Sequence, residues 1–340
     1  MGYYLERIGQ AIITFWAAIT ITFILYRLMP GGPVESMRNQ LMEEAAMEGG
    51  EIDMDRINRL VELHTGVNPD QPIHIAYVDY LMDIVLYQDF GRSIWRNEPV
   101  FDVLWAGMPW SVFVSFYGLL LGFTANVLLG ALMAWWENTR FDNWSSIIAT
   151  FLNSVPYYVG AILFLAVFAF QLGVLPRGGR YNEHLDPGFH LPFMFSVIEH
   201  GILPIATGFI VGFGGGALAM RGNSIRILGS DYLRVAQLRG VSTARIATRY
   251  VTRNAILPLY TGLMIGISAI FSSSIIMELI FTYPGVGWYT WGALEGRDYP
   301  LLMGIFLFYT FVTILGILIA DLTYGYIDPR AGTEGRQEAY

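Results

Sequence analysis

The 340-residue sequence contains no cysteine, and all 20 of its lysine-plus-arginine positions are arginine. The absence of cysteine excludes disulfides, thiolate nucleophiles and thiolate metal ligands. The absence of lysine excludes both a phosphate-binding loop that relies on lysine and Schiff-base chemistry in this chain. If the protein works with ATP, another chain must therefore bind the nucleotide.

Charged residues are also scarce. They make up 14% of the chain, whereas soluble domains carry about 25%, and 54% of the residues are hydrophobic. The mean hydropathy is +0.46. These values predict an integral membrane protein, and the helix-length spans described next make the expected fold class all-α. The net charge of −8 without lysine favours a halophilic archaeon as the source, because high salt screens repulsion between surface acids. Codon bias that replaces lysine by arginine is the alternative explanation.

Six segments without Asp, Glu, Lys or Arg are long enough to cross a bilayer, which takes about 20 residues. The exit of the first segment lacks a small-residue cleavage pattern, so it is read as a retained helix. The six segments are Ile8–Tyr26, Ser111–Trp136, Ser145–Pro176, Gly201–Met220, Ala255–Met277 and Tyr299–Ala320.

The placement of arginine predicts the orientation of these spans. The loop 221–254 holds seven arginines against one acid, Asp231, which is typical of a cytoplasmic loop. Six spans then place both termini in the cytoplasm. The stretch 31–109 falls outside, with 14 acids against five arginines.

The outer stretch is too long for a simple connection, and its pattern predicts a helical cap. Val34–Met47 and Asp53–Leu63 have helical periodicity, and Pro72 can open a third helix. The cap either shields the outer mouth or receives a delivery protein. The apolar residues of the third helix predict one face: Ile73, Tyr77, Leu81, Ile84 and Val85.

The cytoplasmic loop reads as two short helices joined by a turn. Gly240 suits the left-handed position that ends a helix, and Ser242 suits the N-cap of the next. Ala236 and Gly240, four residues apart, predict a small-residue docking face. The arginines of the loop pair with acids of a partner or bind lipid phosphate. The predicted coupling residues are Asp231, Arg234, Ala236, Arg239, Gly240, Ser242 and Arg245.

A second candidate region follows the fifth span. Glu278 precedes the turn Pro284-Gly285-Val286-Gly287. It serves either as a gate or scoop that releases cargo or as a carboxylate that caps local backbone donors. Ser272 and Ser273 line a polar pathway or bond to their own helix. The glycines at 212 and 214–216 predict a packing face against a partner permease or the fifth span, with a hinge as the alternative.

Other classes of protein fit less well. An ion-coupled secondary transporter usually buries carboxylates within its spans and shows internal repeats, and neither is evident. An intramembrane enzyme needs a nucleophile with its base, or a set of metal ligands, inside the spans. All five histidines fall in predicted outer loops, and no pair of them has a metal-binding spacing.

A series of motifs runs through about 310 residues. Each is short, but their order along the chain is specific. They are Arg27-Leu-Met-Pro-Gly-Gly-Pro33, Asp70-Gln-Pro72, Asp89-Phe-Gly-Arg-Ser93, Ser154-Val-Pro156, Leu172-Gly-Val-Leu-Pro176, the loop Asp231–Pro258, the segment Glu278–Pro300, Asp321-Leu322 and Asp328-Pro-Arg330.

Through these motifs the chain resembles the permease subunits of ABC importers of the dipeptide, oligopeptide and nickel branch. Such importers have two permease subunits, and the chain resembles the first of the pair. Arg234 and Val235 depart from the Glu-Ala of the wider family pattern. The resemblance implies the type I importer fold, with an outer helical insertion and a cytoplasmic coupling helix. The implied parts are a first helix (1–30), an outer region (31–109), a permease core (110–325) with its coupling loop (221–256), and a cytoplasmic tail (326–340).

The resemblance also implies a non-enzymatic subunit that forms half of a pathway for peptides, with oligosaccharides as the alternative cargo. The implied partners are a second homologous permease, two ATP-binding subunits that hold ATP and Mg²⁺, an extracytoplasmic substrate-binding protein and the lipid membrane. No cofactor, metal or nucleic acid is expected on this chain.

Overall fold

A computed structural model describes residues 2–28, 32–47, 53–65, 71–228, 230–242, 245–256, 259–260, 262–263, 266–267, 270 and 275–327. Within these ranges the regular secondary structure is helical, apart from one isolated β-bridge between Arg92 and Pro99. The main helices are α1 (Gly2–Leu28), α2 (Pro33–Met47), α3 (Met54–Thr65), α4 (Ile73–Met82), α5 (Val100–Trp135), α6 (Arg140–Ser154), α7 (Tyr157–Phe164), α8 (Leu191–Leu228), α9 (Asp231–Leu238), α10 (Ile275–Ile280), α11 (Val286–Glu295) and α12 (Tyr299–Ile327). The π-helical segments Asp83–Tyr87 and Leu165–Gln171 continue α4 and α7, and a third covers Ile246–Thr252.

Four helical stretches within the described ranges are long and apolar enough to cross a membrane. They are Leu5–Leu25, Val100–Trp135, Leu191–Leu228 and Tyr299–Ile319. They agree with the first, second, fourth and sixth predicted spans. The fifth, Ala255–Met277, includes many residues outside the described ranges, so the count of six stays a prediction.

The third predicted span, Ser145–Pro176, is not one helix. It consists of α6 and of α7 with its π-helical continuation, which are bent by 97°. The cause is Pro156: the proline ring disfavours helical geometry in the residue before it, and Val155 is extended with φ −79° and ψ 122°. That Ser145–Pro176 forms the third span stays a prediction.

The described chain divides into two compact units, Met1–Pro109 with Gly285–Tyr340, and Trp110–Pro284. The division into an outer region (31–109), a permease core (110–325) and a tail (326–340) stays a prediction. We call the two parts unit 1 and unit 2.

Unit 1 packs the outer helices against α1 and α12. Its core contains Ile19 and Phe23 of α1, Val61 of α3, Tyr80 of α4 and Leu307 of α12. The three predicted outer helices are confirmed. Each is short, so its stability depends on burying this apolar face and not on helix propensity alone.

The face predicted for the third outer helix was partly wrong. Ala76, Tyr80 and Ile84 are buried, whereas Ile73 and Val85 are each 52% exposed. The helix changes to π-helical geometry at Asp83, and this change alters the angle between successive side chains. The change accounts for Val85 but not for Ile73, which lies in the first turn of α4; Tyr77 and Leu81 of the predicted face pack partly buried against the core.

Unit 2 is built on close contact between α6 and α8. A Cβ added to Gly214 would lie 2.0 Å from the carbonyl oxygen of Ala149, so the two backbones touch. Positions 215 and 216 face Asn153 of α6 and Asn126 of α5 in the same way. The fourth-span glycines are therefore a packing face, as one alternative predicted, but the elements they contact are α6 and α5 of the same chain. Gly212 differs, because no atom lies within 4 Å of its added Cβ.

Candidate functional site

The predicted coupling helix is α9, and Gly240 ends it as expected. Gly240 has φ +72°, a conformation that costs residues with a Cβ about 1–2 kcal/mol. Its amide donates to the Gln237 carbonyl (2.9 Å), and the Val241 amide donates to the Ala236 carbonyl (3.2 Å). These two bonds form a Schellman motif, which satisfies the free carbonyls at the helix end. The Ser242 carbonyl accepts from the Ile246 amide at 3.0 Å, as a residue at a helix start would.

A cluster of apolar side chains holds α9 against the end of α8. Leu233 of α9 is 1% exposed and is buried with Ile246 and Val251 of the π-helical segment. Ile227 and Leu228, the last residues of α8, pack against the same cluster, with Val241 and Tyr250. We call this set the α9 platform. Because it joins three elements, α9 has a fixed position relative to the end of α8.

The small-residue docking face predicted for Ala236 and Gly240 is not present. Ala236 is 6% exposed and so is unavailable to a partner. Gly240 is exposed, but it lies beyond the helix end, where the four-residue rule does not apply. Ala236 lies three residues after Leu233, so both are on the buried side of α9.

The exposed face of α9 carries larger side chains. Tyr232, Val235 and Leu238 recur every three residues and are 46%, 47% and 82% exposed. We call these three the α9 strip. The sequence analysis missed it, although the spacing could have indicated it. The predicted coupling residues Asp231, Arg234, Arg239, Ser242 and Arg245 are all exposed, so the strip lies among polar and charged side chains.

One arginine of loop 221–254 forms an ion pair within the chain. Arg221 of α8 binds Asp142 of α6 through two hydrogen bonds, Nε to Oδ1 at 2.5 Å and Nη2 to Oδ2 at 2.7 Å. The side chain of Asp142 is 1% exposed and that of Arg221 is 27% exposed. Arg221 therefore pairs within the chain. The sequence signal would have been an acid in a short connection next to the end of a predicted span.

The second candidate region lies in unit 2 around Glu278. This residue is fully buried, and its Oε1 accepts a hydrogen bond of 2.6 Å from the Ser111 hydroxyl. The bond joins α10 to α5. The carboxylate therefore has a partner in another helix, which neither sequence interpretation foresaw.

The turn after Glu278 is held by a residue that the sequence analysis missed. Arg180 donates from Nη1 to the Pro284 carbonyl at 3.0 Å, and its guanidinium lies 5.1 Å from the centre of the Trp110 ring. The Gly179 amide also donates to the Thr282 carbonyl at 3.0 Å. The loop before α8 thus clamps the turn. No local pattern points to Arg180, because its partner is 104 positions away.

The other predicted gate residues include positions on both sides of the boundary between the two units. Gly285 and Gly287 belong to unit 1, at the start of α11, and both are buried. Pro284 is the last residue of unit 2. Ser272 and Ser273 lie outside the described residues, so their pathway role stays a prediction.

Unit 2 also contains an open cavity of about 710 Å³. The side chains that line it are uncharged among the described residues, and several positions on α5 and α8 are glycine. An added Cβ at Gly118, Gly122 or Gly212 would meet no atom within 4 Å, so these glycines widen the space. We call it the glycine-lined cavity. Its polar lining residues are Ser115, Asn126, Tyr157 and Asn223.

Among the described residues, no group of three or more His, Asp or Glu side chains is arranged to hold a metal ion. The candidate features of unit 2 are a surface helix with an exposed strip, an ion pair with a buried carboxylate, a clamped turn and an uncharged cavity. The strip and the cavity suit binding, and the helix contacts suit transmission of movement.

Comparison with known proteins identifies the class. The chain is 28% identical over 344 residues to a probable D,D-dipeptide transport system permease protein of Escherichia coli (strain K12), covering 97% of each chain. It is 27% identical over 329 residues to the dipeptide transport system permease protein DppB of Bacillus subtilis (strain 168), covering 96% of this chain and 97% of that protein. It is 29% identical over 331 residues to the oligopeptide transport system permease protein OppB of Haemophilus influenzae, covering 97% of this chain and 99% of that protein.

A family described as "Binding-protein-dependent transport system inner membrane component" matches residues 126–333. The match covers most of unit 2, together with α11 and α12. Because it spans more than half of the chain, this protein belongs to the family of inner membrane components of binding-protein-dependent transport systems.

Proposed function

We propose that the chain is one of two permease subunits of an ATP-driven importer, and that the α9 strip binds an ATP-binding subunit. The strip carries this proposal. Leu238 is 82% exposed on a helix whose other face is fixed by the α9 platform. An exposed apolar strip among charged side chains is typical of a protein interaction surface, and a fixed helix can transmit movement of the bound partner.

The proposal assigns ATP hydrolysis to other chains. The sequence has no lysine for a phosphate-binding loop, so two ATP-binding subunits would hold ATP and Mg²⁺. A second homologous permease would supply the other half of the pathway. The family description, which names binding-protein-dependent transport, supports an extracytoplasmic binding protein as the source of cargo.

We assign peptides as the cargo class. The relatives above are named for dipeptides and oligopeptides. The glycine-lined cavity supports this assignment, because its volume falls in the range of about 300–1,000 Å³ usual for ligand sites. Asn126 and Asn223 place two amide side chains in the cavity lining, and their NH₂ groups can donate hydrogen bonds to the carbonyls of a peptide backbone. Oligosaccharides are the competing cargo.

The proposal also sets the orientation. Loop 221–254, with seven arginines, would face the cytoplasm, with both termini on the same side. The acidic cap of α2, α3 and α4 would face outward, where it either shields the mouth or receives the binding protein.

The strip can be tested with Leu238→Asp in the full complex expressed with its partner subunits. The matched control is Leu294→Asp, which changes a leucine that is 57% exposed on α11. We expect Leu238→Asp to lower recovery of the ATP-binding subunits about tenfold or more, as for a central interface residue, while the control leaves it unchanged. Equal recovery from both variants would remove the strip from the interface.

The cargo class is tested on the purified complex with its binding protein. We expect peptides to stimulate ATP hydrolysis and to be transported into vesicles. Stimulation by oligosaccharides and not by peptides would assign the alternative cargo without changing the role of α9.

A further inference from the structure

The ion pair between Asp142 and Arg221 lies where three parts of unit 2 meet. Asp142 belongs to the first turn of α6, directly after the short connection from α5. Its Oδ2 also accepts a hydrogen bond of 3.0 Å from the Asn138 amide in that connection. Thr139 caps α6 by accepting from the Asp142 amide at 3.4 Å. The carboxylate thus holds the α5–α6 connection as well as Arg221.

On the other side of the pair, α8 leads directly to the coupling helix. α8 is one helix from Arg221 to its last residue, Leu228, and seven residues of helix measure about 10 Å. Leu228 packs on the α9 platform. A displacement of α9 therefore reaches Arg221 through a short helical segment, and reaches α6 and the α5–α6 connection through Asp142.

The pair is unlike the other charged contacts of this loop. Arg226, on the same helix, is exposed and bonds only locally to Asn223 at 3.1 Å. Asp142 is completely buried, so its charge is compensated by a fixed, two-bond geometry, which an arginine fork provides and a lysine does not.

Stability alone does not require this arrangement. A buried ion pair often contributes no more than apolar residues of the same size would. Below the pair, α6 and α8 are already in backbone contact at Ala149 and Gly214. The pair fixes the position of α8 along α6 at the end of this contact nearest α9.

We propose that Asp142 and Arg221 are positioning residues that transmit movement of α9 to α6 and to the α5–α6 connection, and thereby couple ATP hydrolysis to transport. This inference rests on the proposed function. It predicts that breaking the pair leaves the subunits assembled and ATP hydrolysis active, but lowers the cargo moved per ATP consumed.

The test uses the complete complex reconstituted in vesicles, with transport and ATP hydrolysis measured together. The variants are Asp142→Asn, Arg221→Lys, and the exchange Asp142→Arg with Arg221→Asp. The control is Arg226→Lys. We expect the single variants to lower transport per ATP about tenfold, the size of a typical coupling between two sites. The exchange should recover part of the loss, and the control should leave the ratio unchanged.

Loss of folding is addressed by removing both charges together. Asp142→Leu with Arg221→Met leaves no unpaired buried charge and should assemble, yet it should still transport poorly per ATP. The inference is overturned if this double variant, or the single variants, keep the normal ratio, or if transport falls only in proportion to assembled complex. A wild-type chain that fails to bind ATP-binding subunits would instead refute the proposed function.

Discussion

The Ser93 hydroxyl donates a 2.6 Å hydrogen bond to the carboxylate of Asp298, 205 positions further along the chain. Both residues are fully buried and both belong to unit 1. The same carboxylate accepts from the amides of Trp95 (3.0 Å) and Leu301 (3.0 Å). Asp298 therefore ties the segment before α5 to the first turn of α12, and so joins two motifs that are distant in the sequence.

We predict that Ser93→Ala destabilises unit 1 by about 1.5–3 kcal/mol, because a hydrogen bond to a buried charged group is lost. The measurement is thermal unfolding of the purified protein in detergent. The control is Glu98→Gln, which removes an exposed ion pair with Arg96 and should change stability by about 0.5 kcal/mol or less. A Ser93→Ala protein as stable as the control would mean that the Asp298 carboxylate finds another donor.

Local features of the fold could be predicted from the sequence, and long-range ones could not. Gly240 ends α9 because the requirement for a left-handed residue is local, and α2, α3 and α4 follow from helical periodicity. The pairs Ser93–Asp298 and Asp142–Arg221 join residues that are 205 and 79 positions apart. Local patterns such as helical periodicity and capping do not indicate which of many acids and donors meet after folding.

The errors at the site have the same origin. Ala236 was placed on the outer face of α9 by its size, but Ile246 and Val251 build the cluster that covers that side of the helix. The break at Pro156, in contrast, was visible in the sequence, because the residue before a proline avoids helical geometry.

The second prediction concerns Gly240. An added Cβ would meet no atom within 4 Å, so a substitution acts through the positive φ and not through a clash. We expect Gly240→Ala to weaken the end of α9 by about 1–2 kcal/mol and Gly240→Asn, which tolerates this conformation, to cost less. Cargo-stimulated ATP hydrolysis by the complex should fall in the same order.

The bulky variant Gly240→Trp adds a steric test at the exposed end of α9. We expect it to lower recovery of the ATP-binding subunits further than Gly240→Ala, with membrane insertion intact. Normal recovery and normal stimulation in Gly240→Trp would show that the partner does not approach this end of the helix.

The third prediction concerns pH. Burial raises the pKa of Asp83 above its ordinary value, and the nearby carboxylates Asp89, Asp79 and Glu62 raise it further. The charged form is thus less favourable in the folded state than in the unfolded state. Unit 1 should therefore lose stability as the pH rises from about 4, the ordinary aspartate pKa, through the raised value.

Asp83→Asn should consequently raise the unfolding temperature at pH 7. It should have little effect below about pH 3, where the protonated aspartic acid of the wild type is neutral, as asparagine is. The control Glu43→Gln changes an exposed acid of α2 and should have little effect at either pH. High salt should reduce the benefit of Asp83→Asn, because screening weakens the repulsion but not the cost of burial. A variant less stable than wild type at pH 7 would contradict this reading of the cluster.

The last prediction concerns the orientation of the chain in the membrane. Since the natural sequence has no cysteine, single cysteines report only their own positions. Glu43→Cys in α2 and Glu183→Cys before α8 should react with an impermeant thiol reagent from outside intact cells. Ser242→Cys, after α9, should react only once the membrane is opened. All three positions are exposed in the folded chain, so failure to react reports the side of the membrane and not burial.

The expected difference follows from the seven arginines of loop 221–254, which favour the cytoplasmic side. Labelling of Ser242→Cys and Glu43→Cys from the same side would reject this orientation, and it would also remove the α9 strip from contact with any cytoplasmic ATP-binding subunit.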